Sequence, residues 1–154
     1  AVVAGLKKNQ TLTNLSLASN GITDESACNL LAAVAEHPSL QLLDLGYSRS
    51  TKVLGAEANS IGDASAEALY DLLMQHKQLY HLDLVRNNFS IKTFNRILQA
   101  LSSNNTLKEL RLGKGFKGET KEKIQGILTK NLSQQPDTIF HKHKDVQMIR
   151  SVYR

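Results

Sequence analysis

Cys28 and His37 are the first pair whose side chains could do covalent chemistry, a thiol with a possible base downstream. A reactive thiolate needs an adjacent base or an electropositive pocket. On a helix these two residues stand more than two turns apart, and no third group is in place to orient the imidazole. Cys28 therefore reads as an incidental cysteine. His141-Lys142-His143 would put two imidazoles on one face of a strand, but a structural zinc site takes four ligands and no cysteine lies nearby. Asp44 and Asp83 are the remaining candidates for acid–base work. They fall in the same column of adjacent strands, about 5 Å apart by strand spacing, and on an open face they read more simply as an acidic recognition patch. The sequence holds no GxxxxGK[ST], GxGxxG or GxSxG. No catalytic, cofactor or metal site is expected.

The elements that would position these groups emerge from spacing. Four segments share one pattern: Leu12 to Leu17, Leu40 to Leu45, Leu79 to Leu84 and Leu107 to Leu112, each with Leu at its first, fourth and sixth places. Their first leucines are 28, 39 and 28 residues apart, and an insertion of 11 residues at Ser48 to Ala58 explains the odd interval. With the insertion set aside, Asn20, Asn59 and Asn87 coincide, and Ile22, Ile61 and Phe89 follow two residues later. Helical periodicity comes next in each unit: Leu30, Leu31 and Val34; Leu69 and Leu73; Ile97, Leu98 and Leu101; and Ile124, Ile127 and Leu128 in the last. Thr23 or Asp24, Asp63 and Ser90 suit the helix N-caps. Each unit therefore reads as strand, turn and helix, and neighbouring units must stack because one cannot bury its apolar face alone. The Asn amide can satisfy backbone groups freed where the chain leaves the strand.

The pattern LxxLxLxxN/GxI followed by a helix, at 28 residues, resembles the ribonuclease-inhibitor-like subfamily of leucine-rich repeats. The resemblance covers residues 12–112 well and 113–131 loosely, departing at the insertion and at Gly115, where the Asn is missing. It implies an α/β solenoid, a short horseshoe with a parallel sheet on the concave face and helices on the convex face. Among such arrays, the irregular insertion and short length are most similar to the bacterial-effector type. The resemblance implies protein binding, with inhibition or sequestration of an enzyme or host protein as a mechanism. It also implies a cytoplasmic setting, the host cytosol in the effector case.

Residues 1–112 form the array: a partial repeat over 1–11, repeats from 12, 40 and 79, and the fourth strand from 107. Leu6 parallels Leu101, so the chain is expected to begin part-way through a repeat. Residues 113–154 are expected to complete the last helix and form a basic cap, with a short strand at Thr138 to His143 and a helix at Asp145 to Arg154. The net charge of +5 lies wholly in that segment, because residues 1–112 hold equal numbers of basic and acidic side chains. It lacks the interleaved aromatics of a committed nucleic-acid binder. No apolar run approaches the about 20 residues of a membrane span. A lone cysteine excludes an internal disulfide.

The surface left for function is the strand face. Leu42, Asp44, Tyr47, His81, Asp83, Arg86, Glu109, Arg111 and Lys114 are expected to form the protein contact there, with Leu42 as an exposed apolar anchor. Tyr and Arg are types enriched at binding hot spots. The expected partner is a protein; a small-molecule substrate, nucleic acid and membrane are not expected, and the chain is expected to be a monomer. Two other readings stand beside this one: a recognition or scaffold domain of a larger protein, and electrostatic binding of nucleic acid or membrane by the basic segment.

Overall fold

The computed structural model describes residues 1–47, 55–113 and 115–134. Most of the insertion, Lys114, and the strand and helix expected beyond residue 134 lie outside the described residues. The elements alternate: α1 (Val2–Lys8), β1 (Asn14–Ser16), α2 (Asp24–Ala35), β2 (Leu42–Asp44), α3 (Ala66–Gln75), β3 (His81–Asp83), α4 (Ile91–Leu101), β4 (Glu109–Arg111) and α5 (Gly118–Ser133). The four strands form one parallel sheet in the order β1-β2-β3-β4. Leu15, Leu43, Leu82 and Leu110 stand in register across it. Each helix packs on the next in sequence, so the chain is the α/β leucine-rich-repeat solenoid that the spacing implies.

Periodicity dictates this arrangement. The first, fourth and sixth leucines of each strand segment turn toward the helices. In the two central repeats all six are buried: Leu40, Leu43, Leu45, Leu79, Leu82 and Leu84. Of their equivalents at the ends, Leu107 is fully buried, while Leu12, Leu15, Leu17, Leu110 and Leu112 are only partly buried, β1 and β4 each pairing with one strand among the described residues. Leu30, Leu31 and Val34 of α2, Leu69, Leu72 and Leu73 of α3, and Ile97 and Leu101 of α4 close the core from the helix layer. Leu6 on α1 is buried in the same cluster, as its parallel with Leu101 requires. Each fully buried leucine contributes about 1.5–3 kcal/mol.

Polar ladders tie the repeats where backbone groups leave the strands. The Asn59 side-chain oxygen accepts from Asn20 N (3.0 Å) and Ile22 N (2.9 Å), and its Nδ2 donates to Leu17 O (3.0 Å) and Leu45 O (2.9 Å). Asn87 repeats the motif, accepting from Ile61 N and donating to Leu45 O and Leu84 O. These bonds cross between repeats, so the Asn column fixes stacking as well as turn shape.

A second ladder closes the other end of the strands. Asn9, His37, His76 and Asn104 each precede the first leucine of a repeat by three residues. The Asn9 and Asn104 oxygens and the His76 Nδ1 each accept the two backbone N–H groups that open the next strand segment. His37 Nδ1 accepts from Ser39 N at 3.4 Å. Burial, then repulsion from His37, lowers the pKa of His76 below its ordinary value.

At the helix starts, Thr23 and Ser90 take the expected N-cap places. Asp63 does not. It opens a 3-10 turn over Asp63–Ser65, and its carboxylate instead accepts from Ser90 N and Thr93 Oγ1 of the next repeat. The Ser90 hydroxyl, then Thr93, holds its pKa below the usual carboxylate range. Asp24 makes the same reach to Gly62 N and Ser65 Oγ.

Candidate binding face

The strand face is built from columns of residues that the parallel register sets side by side. Asn14, Leu42, His81 and Glu109 form one row, and Ser16, Asp44, Asp83 and Arg111 the next. Adjacent members pair laterally. Ser16 Oγ donates to Asp44 Oδ2 (3.0 Å), His81 Nδ1 meets Glu109 Oε2 (2.9 Å), and Arg111 Nη1 donates to Asp83 Oδ2 (2.6 Å).

The two aspartates also finish their strands. Asp44 Oδ1 accepts from Gly46 N and Asp83 Oδ1 from Val85 N, both at 3.0 Å. Such side-chain turns end a strand by offering the backbone a local acceptor. Gly46 is required in this corner: a Cβ there would lie 2.7 Å from Asp83 Oδ1.

This geometry revises the expected contact set. Leu42 is only 6% exposed and Asp83 only 4%, and His81 is buried too. Leu42 is no exposed anchor, because Asn14 and His81 flank it in register on both sides. The acidic patch reading also changes. Asp83 is committed to Val85 N and Arg111, and Asp44 to Gly46 N and Ser16, so both carboxylates shape strand ends. Glu109, Arg86 and Arg111 are exposed and Tyr47 is half-buried. Lys114 lies outside the described residues.

Beyond the strands, the Arg86 guanidinium sits over the Tyr47 ring, 4.8 Å from its centroid. Tyr47, Arg86 and Arg111 border a groove of about 1010 Å³ whose apolar lining includes Phe89 and Phe94. Phe94 stands edge-on to Phe116 with centroids 5.3 Å apart. The sequence reading missed this groove, since its walls come from three different repeats. It also missed the Asn9, His37, His76 and Asn104 column, although the constant three-residue offset was visible.

The other chemical candidates stay apart. Cys28 Sγ lies 3.7 Å from Ser65 Oγ and 3.8 Å from Ala64 O, on the seam between repeats, whereas His37 Nδ1 faces Ser39 N. Among the described residues, no group of three or more His, Cys, Asp or Glu could hold a metal ion. No helix among them is long and apolar enough to cross a membrane. His141 and His143 lie outside the described residues.

Solved structures of the same fold exist. The chain is similar to leiomodin-1 actin-binding site 2, with a TM-score of 0.68 and 19% identity over 97% of this chain and 78% of that one. It is also similar to the tropomodulin C-terminal domain from Caenorhabditis elegans, with a TM-score of 0.67 and 16% identity over 86% of this chain and 74% of that one. No family model matches the sequence, and no curated protein sequence matches it either.

These neighbours correct the attribution to ribonuclease-inhibitor-like repeats and to the bacterial-effector type. The reason is physical. A 28-residue strand–turn–helix unit is set by how far the chain must travel to stack its next strand, so different lineages of the fold share it. Repeat length identified the architecture and could not identify the lineage.

Proposed function

We propose that the chain is a protein-binding module, gripping its partner with the exposed strand-face residues Glu109 and Arg111 and the adjoining Tyr47 and Arg86. The observation that carries this reading is the preorganisation of that face. Glu109 is paired with His81, Arg111 with Asp83, and the Arg86 guanidinium lies over Tyr47. Side chains already held in place lose little freedom on association, which favours affinity. Leucine-rich arrays also expose an extended surface larger than any single turn could present.

The leiomodin-1 neighbour is an actin-binding site by its title, and we take actin as the partner to test first. A cytoplasmic setting belongs to the same proposal. Enzyme inhibition came with the corrected attribution and is not part of it.

The test is binding of labelled actin, monomeric and filamentous, to the chain and to a Tyr47→Ala, Glu109→Ala, Arg111→Ala variant. Asp83 is left intact because its buried carboxylate caps β3. Binding that weakens at least tenfold in the variant, with unchanged unfolding temperature, supports the reading; tenfold corresponds to about 1.4 kcal/mol. Equal binding by both proteins would move the contact off this face. Binding by neither would remove actin as the partner.

A further inference from the structure

We infer that the groove beyond the strand ends binds an extended acidic segment of a partner protein, seating an aromatic or branched aliphatic side chain between Phe89 and Phe94 and its carboxylates on Arg86 and Arg111. This deepens the protein-binding reading and rests on it.

The lining carries the argument. Two guanidinium groups border the groove, and among the described residues none that lines it carries a carboxylate. Residues 1–112 as a whole are charge-balanced, so the positive rim is a local feature and not a sample of the average surface. Its floor is apolar and aromatic. Phe94 is buried yet stands outside the main core cluster, touching Phe116 edge-on. Phe89 is half-buried and packs against that core. An inserted side chain would therefore meet aromatic rings that are themselves packed, Phe89 against the core and Phe94 against Phe116.

Arg86 is the sharper signal. Its φ is +64°, in the left-handed region that L-residues rarely adopt. Ser19, equally placed two residues after the last strand leucine, shares it with φ +59°, whereas Tyr47 at the same place before the insertion does not. Ser19 is buried and small. Arg86 is exposed, where glycine or asparagine would meet the backbone demand with less strain. Its guanidinium carbon lies over the Tyr47 ring, 4.8 Å from the centroid. A guanidinium over a ring can still receive a carboxylate on its N–H groups in a two-pronged contact.

Arg111 adds a second point of attachment. Asp83 holds it through Nη1, while its side chain keeps 44% of its surface exposed. Two guanidiniums flanking an aromatic floor match acidic residues on either side of one apolar residue. A nucleic acid is the less suitable occupant, because among the described residues the rim offers two cations and not a track along a phosphate backbone.

The experiment pans a display library of random twelve-residue peptides on the full chain, then measures selected peptides by fluorescence anisotropy. The variants are Arg86→Gly, which suits the positive φ and keeps the fold, and Glu109→Arg on the strand face. The expected result is enrichment of Asp and Glu around an aromatic or aliphatic residue. Binding should fall tenfold or more in Arg86→Gly with an unfolding temperature no lower than the parent's. An unenriched pool, a basic or neutral consensus, or undiminished binding by Arg86→Gly would overturn the assignment. So would self-association in sedimentation that Arg86→Gly abolishes, which would make a second copy the occupant, or an oligonucleotide that outcompetes the selected peptides. Loss of partner binding by Glu109→Arg but not by Arg86→Gly would sink this assignment while leaving the protein-binding reading intact.

Discussion

The two ends of the strands are finished by different chemistry, although each carries a polar side chain once per repeat. At the entrance, every repeat asks for an acceptor, and in the last one Asn104 Nδ2 also donates to Leu73 O of the preceding repeat. An amide oxygen at Asn9 and Asn104 or an imidazole nitrogen at His37 and His76 supplies that acceptor, bonding N–H groups two or three residues ahead. At the exit, Asn59 and Asn87 must accept and donate at once, and their bonds reach into neighbouring repeats. The acceptor role that all four entrance residues share is local and tolerates chemically distinct side chains. A site that must use both ends of an amide to join two repeats does not. The exit is also where Gly46, the aspartate turns and the groove crowd together, so rigidity and the candidate binding surface share one end of the molecule.

Exchanging the two kinds of residue would break the comparison if it is wrong. The largest effect is expected from Asn59→His. Imidazole cannot reproduce two donated and two accepted bonds in this buried site, and the stranded backbone groups should cost about 4 kcal/mol in urea unfolding. A loss below about 1 kcal/mol would show that the exit is as permissive as the entrance.

Gly46→Ala tests whether the exit is as tight as its contacts imply. The added Cβ would meet the Asp83 carboxylate, which Val85 N and Arg111 hold in place. Destabilisation of about 2 kcal/mol is expected, together with weaker partner binding as Arg111 is displaced.

The smallest effect is expected from His76→Asn, which installs at the entrance the residue already found at Asn9 and Asn104. Stability at pH 7.5 should change by less than about 1 kcal/mol. Its pH dependence should change more. In the parent, the folded-state pKa of His76 lies below its ordinary value of 6.5, so the unfolded chain takes up the proton first. Stability is therefore full above pH 6.5 and falls as the pH drops from there toward the folded-state pKa. Urea midpoints measured between pH 7.5 and 5 should decline less in His76→Asn; an unchanged slope would mean that another group governs the acid limb.

The repeat was legible because Leu spacing reports directly on which side chains face the core. Leu12 through Leu112 gave strand positions, the insertion and the helix phases from period alone. The binding face was legible only in outline. Leu42 and His81 looked like surface residues by their place in the column, but burial depends on neighbours in adjacent strands, and sequence does not show how closely those neighbours close over a residue. Asp83 looked like a recognition carboxylate because its ion-pair partner Arg111, 28 residues away, becomes close only after folding. Phe89 read only as the repeat equivalent of Ile22 and Ile61, and the floor it forms with Phe94 was not legible, since two phenylalanines at the start of a helix have many uses.

By itself, the sequence determined the period, the layer that each leucine enters and the amide at the first three strand exits, because these follow from side-chain direction and local hydrogen bonding. Only the tertiary structure decided which polar residues of the strand face are spent on one another and which remain available. It also decided that Tyr47, Arg86 and Arg111, drawn from three repeats, border one groove. Such pairings depend on distances across stacked repeats, set by register and packing together, and no single segment of the chain encodes them.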